Sequence, residues 1–391
     1  MSEWKEYKLG DLTIDGKGSY GIAAPAVEYD ANKYTYLRIT DINDDGTINK
    51  NGLKSVDDKN ASNYLLKPND IVFARTGASV GRSYFYDGRD GELVYAGFLI
   101  KYSLDSTKVN PKLLKFYTHS QVYYDWIQTV DNGATRGNIN AQTYASMPVL
   151  LPDRNKQDEI VSILSSLDDK IDLLNRENAT LEAMAETLFR QWFIEEVKED
   201  WEEGIISYLI DFNPTRKLAK DTNAPFLEMS NLSTSTYAPI YWYDRAFSSG
   251  TKFQNGDTLL ARITPCLENG KTAYVDFLNE GQIGWGSTEF IVMRSKMGLH
   301  PFFSYIVAKY QDFRDYAESC MAGSSGRQRV DVDNLKNYPI SIPDIITIHQ
   351  FNAAIESFVS KMQINNKQIN NLKFQRDILL PELMSNEINI E

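Results

Sequence analysis

Two long stretches of the chain place their apolar residues at spacings that alternate between four and three. The first stretch covers residues 160–192 and the second covers residues 351–383. This alternation is a heptad repeat, which predicts two long helices that pair along one face as a coiled coil. We call the repeating positions the seam. They are Ile160, Leu164, Leu167, Ile171, Leu174, Asn178, Leu181, Ala185, Leu188 and Trp192, then Phe351, Ile355, Phe358, Met362, Asn365, Ile369, Leu372, Arg376, Leu379 and Leu383.

An antiparallel pairing of the two helices sets one register for every layer of the seam. If Ile160 lies opposite Leu383, then Asn178 lies opposite Asn365. A buried Asn pair specifies register at some cost in stability, so we predict that Asn178 and Asn365 are register residues. A pair of this length spans roughly 48 Å and could act as a spacer between two domains. The alternative is that each seam packs only onto its own domain.

The rest of the chain is an internal repeat: two similar segments of short strands and turns lie about 190 residues apart. Alternating and short buried apolar runs bounded by Gly, Asn and Asp predict strands joined by turns. In each copy one helix is predicted, around 111–130 and around 301–318. The matching segments are residues 36–42 and 226–232, 68–75 and 255–262, 133–139 and 323–330, and the proline steps 148–152 and 339–343.

The copies and the heptad stretches together predict an α+β fold with an internal pseudo-twofold repeat. Two similar mixed α/β domains would be separated by an antiparallel coiled coil of two long helices. A chain of 391 residues is also too long for one ordinary core. The predicted division is a first domain at 1–152, a central helix at 153–200, a second domain at 201–343 and a C-terminal helix at 344–391.

The acidity of the chain is concentrated in one segment. The formal net charge is −12, and residues 151–204 alone hold 6 basic and 15 acidic side chains. The repeated domains are therefore close to neutral, and local patches decide whether a protein binds nucleic acid. Two cysteines, no apolar leader pattern and no spanning apolar run predict a cytoplasmic protein that does not enter a membrane.

The chain shows no recognisable catalytic or cofactor motif. Its three histidines are not spaced as metal ligands with Cys or His. Gly16-Lys-Gly-Ser-Tyr-Gly21 matches a nucleotide-binding glycine pattern, but no helical period follows it. We therefore predict no catalytic residue, no metal and no cofactor in this chain. A stand-alone methyltransferase or nuclease would require a cofactor or metal site that the sequence does not display.

Two loops recur at equivalent places in the copies and collect basic and small polar residues. Arg, Lys, Asn and Gln side chains can pair with base edges, and glycines let the backbone approach a phosphate. The alternative for each residue is a solvated turn. The predicted DNA-binding residues are Arg75, Thr76, Ser79, Arg82, Thr135, Arg136 and Asn138 in the first copy, and Arg262, Thr264, Lys271, Ser324, Arg327, Gln328 and Arg329 in the second.

Several segments together resemble the specificity subunit of a type I restriction-modification system, over essentially the full length. They are Trp4-Lys-Glu-Tyr-Lys-Leu-Gly-Asp, Pro68-Asn-Asp-Ile-Val-Phe-Ala-Arg-Thr-Gly-Ala-Ser-Val-Gly, Met147-Pro-Val-Leu-Leu-Pro-Asp-Arg-Asn-Lys-Gln-Asp-Glu-Ile and Tyr338-Pro-Ile-Ser-Ile-Pro-Asp. The second copy departs from the pattern at Thr264-Pro-Cys and at Thr347-Ile-His-Gln. These departures affect the transfer of individual residue roles.

The resemblance implies a non-catalytic subunit that binds double-stranded DNA. Each repeat would be a target recognition domain that reads half of an asymmetric bipartite site. The helices would set the spacer and dock two modification subunits, which use S-adenosylmethionine to methylate adenine. Two restriction subunits would add ATP- and Mg²⁺-dependent cleavage. Two alternatives remain: the specificity subunit of a fused methylase–nuclease (type IIB-like) system, and a coiled-coil scaffold that does not bind DNA.

Overall fold

The computed structural model describes residues 4–50, 52–130, 137–296, 298–323 and 328–384. The chain forms two compact units, one of residues 1–171 with 370–391 and the other of residues 172–369. Each unit holds one copy of the repeat and part of both long helices, α4 (Arg154–Arg190) and α8 (Ile345–Met384). The division of the chain at residues 152, 200 and 343 stays a prediction.

The first unit is built on two four-stranded sheets. Its strands are β1 (Lys5–Lys8), β2 (Ser19–Tyr20), β3 (Ala26–Val27), β4 (Tyr34–Leu37), β5 (Lys54–Val56), β6 (Asp70–Ala74), β7 (Ser83–Tyr86), β8 (Leu93–Tyr95), β9 (Leu99–Ser103) and β10 (Pro148–Leu151), and its shorter helices are α1 (Pro111–Tyr117), α2 (Gln121–Val130) and α3 (Ala141–Ala145). One sheet has the order β2-β9-β6-β7 and is antiparallel, and the other has the order β3-β5-β4-β8 with β4 and β8 parallel. Strands β1 and β10 form a separate antiparallel pair.

The second unit repeats this plan. Its strands are β11 (Glu202–Ile205), β12 (Ile210–Phe212), β13 (Asn223–Leu227), β14 (Tyr243–Ala246), β15 (Thr251–Phe253), β16 (Asp257–Ala261), β17 (Thr272–Tyr274), β18 (Gly284–Gly286), β19 (Phe290–Ser295), β20 (Met321–Ala322), β21 (Arg329–Val330) and β22 (Pro339–Ile342), and its shorter helices are α5 (Phe303–Lys309), α6 (Gln311–Ser319) and α7 (Val332–Leu335). Its sheets have the orders β12-β19-β16-β17 and β14-β13-β18-β15, and β13 and β18 are parallel. Strands β11 and β22 form a separate antiparallel pair, and strands β20 and β21 form another. The predicted α+β fold with two similar units and two long helices is confirmed.

The same turn leads into the central strand of each unit. Asn69 and Gly256 adopt φ values of 74° and 87°, a left-handed conformation that Asn and Gly tolerate best. The carboxylate that follows closes each turn: Asp70 accepts from Lys67 N, and Asp257 accepts from Gln254 N, both at 2.8 Å. All residues of β6 and β16 are buried. The repeated Asp therefore serves the fold, by starting the innermost strand.

The helices predicted around 111–130 and 301–318 are each two helices. In the first unit α1 ends before Ser120, whose hydroxyl accepts from Tyr123 N at 3.4 Å near the start of α2. In the second unit Tyr310 breaks the helix with an extended backbone between α5 and α6. The sequence predicts one helix in each case because both helices of a pair place apolar residues in the core of their unit.

Both long helices contribute to the core of each unit. In the first unit Ile160 and Leu164 share a buried cluster with Leu380 and Leu383 and with central-strand residues such as Phe73. In the second unit the buried cluster includes residues of both seams together with strand and helix residues of the domain, among them Ala185, Phe189, Phe351, Ile355 and Leu260. The seams thus pack onto the domains as well as onto each other.

The two helices run antiparallel inside each unit. In the second unit Trp192 stacks edge-on against Phe351 with ring centroids 6.2 Å apart, and Glu177 pairs with Lys361 at 3.4 Å. In the first unit Asp168 accepts from Arg376 at 3.1 Å. The helix that the first seam predicted begins at Arg154 and continues after Arg190 as a π-helical turn, Gln191–Glu195. None of the described helices is long and apolar enough to cross a membrane.

Candidate nucleic-acid interface

In the first unit the loop after β6 is joined to a segment more than sixty residues further along the chain. Thr76 and Asn138 form an antiparallel bridge, and Ile139 N donates to Arg75 O at 2.9 Å. On its other side Arg75 N donates to Phe98 O at 3.1 Å. The residue that follows the central strand is therefore hydrogen-bonded to two other segments, and this pairing brings the three segments together.

The Arg75 guanidinium is held by an aromatic ring and an amide. Its Cζ lies 4.9 Å from the ring centroid of Tyr20, and its Nε and Nη2 donate to Asn138 Oδ1 at 3.3 and 3.2 Å. The Tyr20 hydroxyl accepts from Ala141 N at 3.2 Å, which holds the ring in place. Arg75 is half-buried and Asn138 is exposed. This arrangement orients a cation and an amide toward solvent, and no carboxylate accepts from Arg75 among the hydrogen bonds of the described residues.

The other two first-unit residues of this loop have different environments. Ser79 is buried, and its carbonyl accepts from Arg82 N at 3.0 Å. Arg82 donates to Asp44 Oδ1 at 2.6 Å and to the Ile42 carbonyl at 3.1 Å. Ser79 thus serves the shape of the loop, and Arg82 ties that loop to the turn after β4.

In the second unit the loop after β16 is joined to β21 in the same way. Val330 N donates to Arg262 O at 2.8 Å, and Ile263 forms an antiparallel bridge with Arg329. Thr264 adds a hydroxyl that accepts from Gln328 N at 3.0 Å, and its backbone N donates to Gln328 O at 3.1 Å. The structure therefore brings four predicted residues together: Arg262, Thr264, Gln328 and Arg329.

A carboxylate that the sequence analysis did not select lies in this group. Glu289 accepts from Arg329 through Nε at 2.9 Å and through Nη2 at 2.7 Å. The hydrogen bond from Arg329 lowers the pKa of Glu289, and the nearby Arg262 adds to this effect. Arg262 itself donates from Nη2 to the Val330 carbonyl at 3.1 Å. Two arginines therefore flank one ionised carboxylate.

Lys271 closes the loop that begins at Arg262. Its ammonium donates to the carbonyl oxygens of Met229 at 3.0 Å and Ser230 at 3.5 Å. Lys271 in the second unit and Arg82 in the first thus make the same kind of contact, since each reaches the turn that follows the parallel strand, β13 or β4. These two side chains stabilise the loop, and both are half-buried.

Three positions can be equated between the units from their backbone contacts. Arg75 and Arg262 directly follow the central strands β6 and β16. Asn138 and Arg329 are the bridged residues beside them, and Phe98 and Glu289 supply the backbone carbonyls that accept from the two arginines. Phe98 is 61% exposed although it is a large apolar residue. Aligning Phe98-Leu-Ile with Glu289-Phe-Ile, at the start of β9 and β19, would have found this third position in the sequence.

Four predicted residues, Thr135, Arg136, Ser324 and Arg327, lie outside the described residues. The predicted register residues lie on the helices, away from these loops in sequence. Asn365 Nδ2 donates to Asn178 Oδ1 at 2.9 Å and to Glu177 Oε2 at 3.0 Å, and Asn178 Nδ2 donates to Asn366 Oδ1 at 2.9 Å. The structure thus brings Asn178 and Asn365 together, and both are buried. In the part of the chain that is described, no group of three or more His, Cys, Asp or Glu side chains is placed to hold a metal ion.

The chain is similar to curated specificity subunits of type I restriction enzymes. A curated relative is the specificity subunit of the type I restriction enzyme HindI from Haemophilus influenzae, 29% identical over 207 residues, which are 50% of this chain and 42% of the relative. A second is the EcoAI specificity subunit from Escherichia coli, 32% identical over 163 residues, 38% of this chain and 26% of the relative. The matches thus span less than half the length of these two relatives.

The fold is shared with a solved structure described as the S subunit of a type I restriction-modification system from M. genitalium. The superposition covers 98% of this chain and 96% of that chain at 15% identity, with a TM-score of 0.50. The family model described as the type I restriction modification DNA specificity domain matches residues 1–183 and again residues 198–373. These two matches cover both units and most of both helices. The chain belongs to the type I restriction-modification DNA specificity family.

Proposed function

We propose that this chain is the DNA-reading subunit of a type I restriction-modification complex in the cytoplasm. Each unit reads one half of an asymmetric bipartite site in double-stranded DNA. The observation that carries this proposal is the recurrence of one arrangement at the end of both central strands. Arginine stands at the first position in both units, while Asn138 and Phe98 are replaced by Arg329 and Glu289 at the other two. The same frame with different side chains is what two readers of different half-sites require.

The chemistry of these side chains suits DNA. Arginine pairs bidentately with guanine O6 and N7, and asparagine pairs with adenine N6 and N7. Arg75, Asn138, Arg262 and Arg329 are placed by strand ends and backbone bridges, which are more rigid supports than free loops. In this proposal Thr76, Thr264 and Gln328 complete the surface, and Thr135, Arg136, Ser324 and Arg327 extend it.

The bond-making steps belong to partner subunits in this proposal. Two modification subunits dock on the long helices and methylate adenine with S-adenosylmethionine, and two restriction subunits supply cleavage driven by ATP and Mg²⁺. The acidic segment 151–204 suits a protein surface better than a phosphate backbone, because like charges repel. The chain itself chooses the sequence and sets the distance between the half-sites.

The test is to express the chain with its modification subunit in a host that lacks adenine methylation and to map modified adenines across the genome. We expect a split motif, two specific blocks separated by a gap of fixed length. Arg75→Ala should relax one block and Arg262→Ala the other, each by roughly tenfold at one base, since a bidentate pair contributes ~1–3 kcal/mol of discrimination. Methylation at one contiguous site, or at no motif, would contradict the two-reader proposal.

The helices are tested as the spacer by lengthening both of them together. Four residues inserted after Ile171 and four inserted after Ile369, at the boundaries of the compact units, add about 6 Å to each helix. We expect both blocks of the motif to remain and the gap between them to change. An unchanged gap would contradict the spacer role and leave the reading of the two blocks intact.

A scaffold that does not bind DNA makes a different prediction. Retention of a duplex by the purified complex, with affinity falling steeply as salt rises, is expected for arginine and lysine contacts to phosphates. Absence of salt-dependent retention would favour the scaffold.

A further inference from the structure

Glu289 is held more firmly than a surface carboxylate usually is. Its backbone carbonyl accepts from Arg262 N at 3.0 Å, and its backbone N donates to Ser287 Oγ at 3.1 Å. The residue begins the turn into β19, which pairs along its length with the central strand β16. The side chain of Glu289 is only 22% exposed. The carboxylate is therefore a fixed part of the frame that also carries Arg262 and Arg329.

The contact between Glu289 and Arg329 fixes the plane of the guanidinium. Two N–H groups, one from Nε and one from Nη2, donate to the carboxylate, and such paired charge-assisted bonds impose a planar geometry. A guanidinium has five N–H donors, so three of them, on Nη1 and on the outer side of Nη2, do not contact Glu289. Among the hydrogen bonds of the described residues, those of the Arg329 side chain all go to Glu289. The Arg329 side chain is 46% exposed.

Two of the donors that do not contact Glu289 match one base. Two donors at the end of a guanidinium pair with the O6 and N7 acceptors of guanine. An arginine already held in one conformation loses less rotational freedom on binding than a free one, so its contact is stronger and more selective. Glu289 carries a negative charge and would by itself repel the DNA phosphates. Its contribution to DNA recognition therefore comes from orienting Arg329 and not from attracting DNA.

We infer that Glu289 is a positioning residue for base recognition, which holds Arg329 so that its free edge reads a guanine in the half-site of the second unit. This inference rests on the proposed function. Arg329 makes the contact with the base, and Glu289 acts through it. In the first unit Phe98 stands at the equivalent position and Asn138 replaces Arg329, so the first half-site is read without this device.

The test is a double-mutant cycle on the complete complex with its modification subunits, with base preference measured on randomised duplexes. Glu289→Ala and Arg329→Ala should each lower the preference for guanine at the same single position, by roughly tenfold. The double variant should lose no more than Arg329→Ala alone, because Glu289 acts through that side chain. Glu289→Gln keeps one acceptor and should lose less than Glu289→Ala. Phe98→Ala is the matched control and should leave the second half-site unchanged.

Two results would overturn the inference: an unchanged base preference in Glu289→Ala, or a further change caused by Glu289→Ala in the Arg329→Ala background, which would make Glu289 a direct reader. Simple unfolding of the second unit would abolish its whole half-site instead of one position, and Glu289→Gln then decides. Failure of the proposed function is distinct, since the unaltered complex would then show no split motif at all.

Discussion

The buried pair Asn178 and Asn365 offers a stability test whose sign depends on whether one or both residues are replaced. Asn365 is 0% exposed and Asn178 is 3% exposed, and they share a hydrogen bond of 2.9 Å. Replacing Asn365 with Leu leaves Asn178 Oδ1 buried without this donor. A buried polar group that loses its partner costs ~1–3 kcal/mol. We therefore expect Asn365→Leu to lower the free energy of unfolding by about 2 kcal/mol.

The double replacement Asn178→Leu with Asn365→Leu should recover most of this loss. It removes both polar groups at once, and an apolar pair at a heptad position is generally at least as stable as a polar one. The remaining partners, Asn366 and Glu177, are both half-buried and can bond to water instead. The two replacements should thus be non-additive by about 2 kcal/mol in a double-mutant cycle.

The assay is urea unfolding of the full chain, monitored by circular dichroism. The unaltered chain, the two single variants and the double variant are compared at one pH. An unchanged slope of free energy against urea shows that the unfolded and folded states are comparable among variants. Ser166→Ala, at an exposed position of the helix that carries Asn178, is the control variant and should leave the free energy of unfolding nearly unchanged. Costs that simply add in the double variant would refute the reasoning that the two amides depend on each other.

Three further predictions concern other groups. Burial raises the pKa of Asp276 to about 6, so the unfolded chain ionises this group at a lower pH than the folded chain does, and the free energy of unfolding falls as pH rises from about 4 to about 6. Asp276→Asn lacks this loss, so its free energy of unfolding should rise relative to that of the unaltered chain across this range, by at most about 3 kcal/mol. A difference in urea unfolding that does not depend on pH would contradict this. Burial tends to raise the pKa of Asp168, but Lys115 at 2.6 Å and Arg376 at 3.1 Å lower it overall, so its stabilising effect is present above its unfolded-state pKa and is lost as pH falls. Asp168→Ala should therefore cost about 2 kcal/mol at pH 7 and much less in acid, and an equal cost at both pH values would argue against the ion pairs. Tyr20→Leu removes the ring 4.9 Å from Arg75 and should weaken duplex binding about three-fold, as expected for ~0.5–1 kcal/mol of cation–π attraction, whereas unchanged binding in a titration would show that the ring does not contribute.

The sequence by itself determined the long helices, the repeat and the central strands. Heptad spacing is a local signal, since residues three and four apart share a helix face, and the contact between Asn178 and Asn365 follows from it once the helices run antiparallel. The buried run of β6 recurs as β16 because both strands lie inside a sheet. The breaks at Ser120 and Tyr310 are not evident from the sequence because the helices on both sides of each break place apolar residues in the same core.

The tertiary structure alone decided which side chains share the candidate interface. Arg262, Glu289 and Arg329 are tens of residues apart, and backbone pairing between strands brings them together. Glu289 and Phe98 belong to no motif, so composition and spacing give them no special weight. Ser79 lies in the predicted loop but is buried, because a turn must point some of its side chains inward. Strand pairing joins residues that are distant in sequence, whereas periodicity reports only neighbours, and for this reason the helices were readable from the chain and the composition of the interface was not.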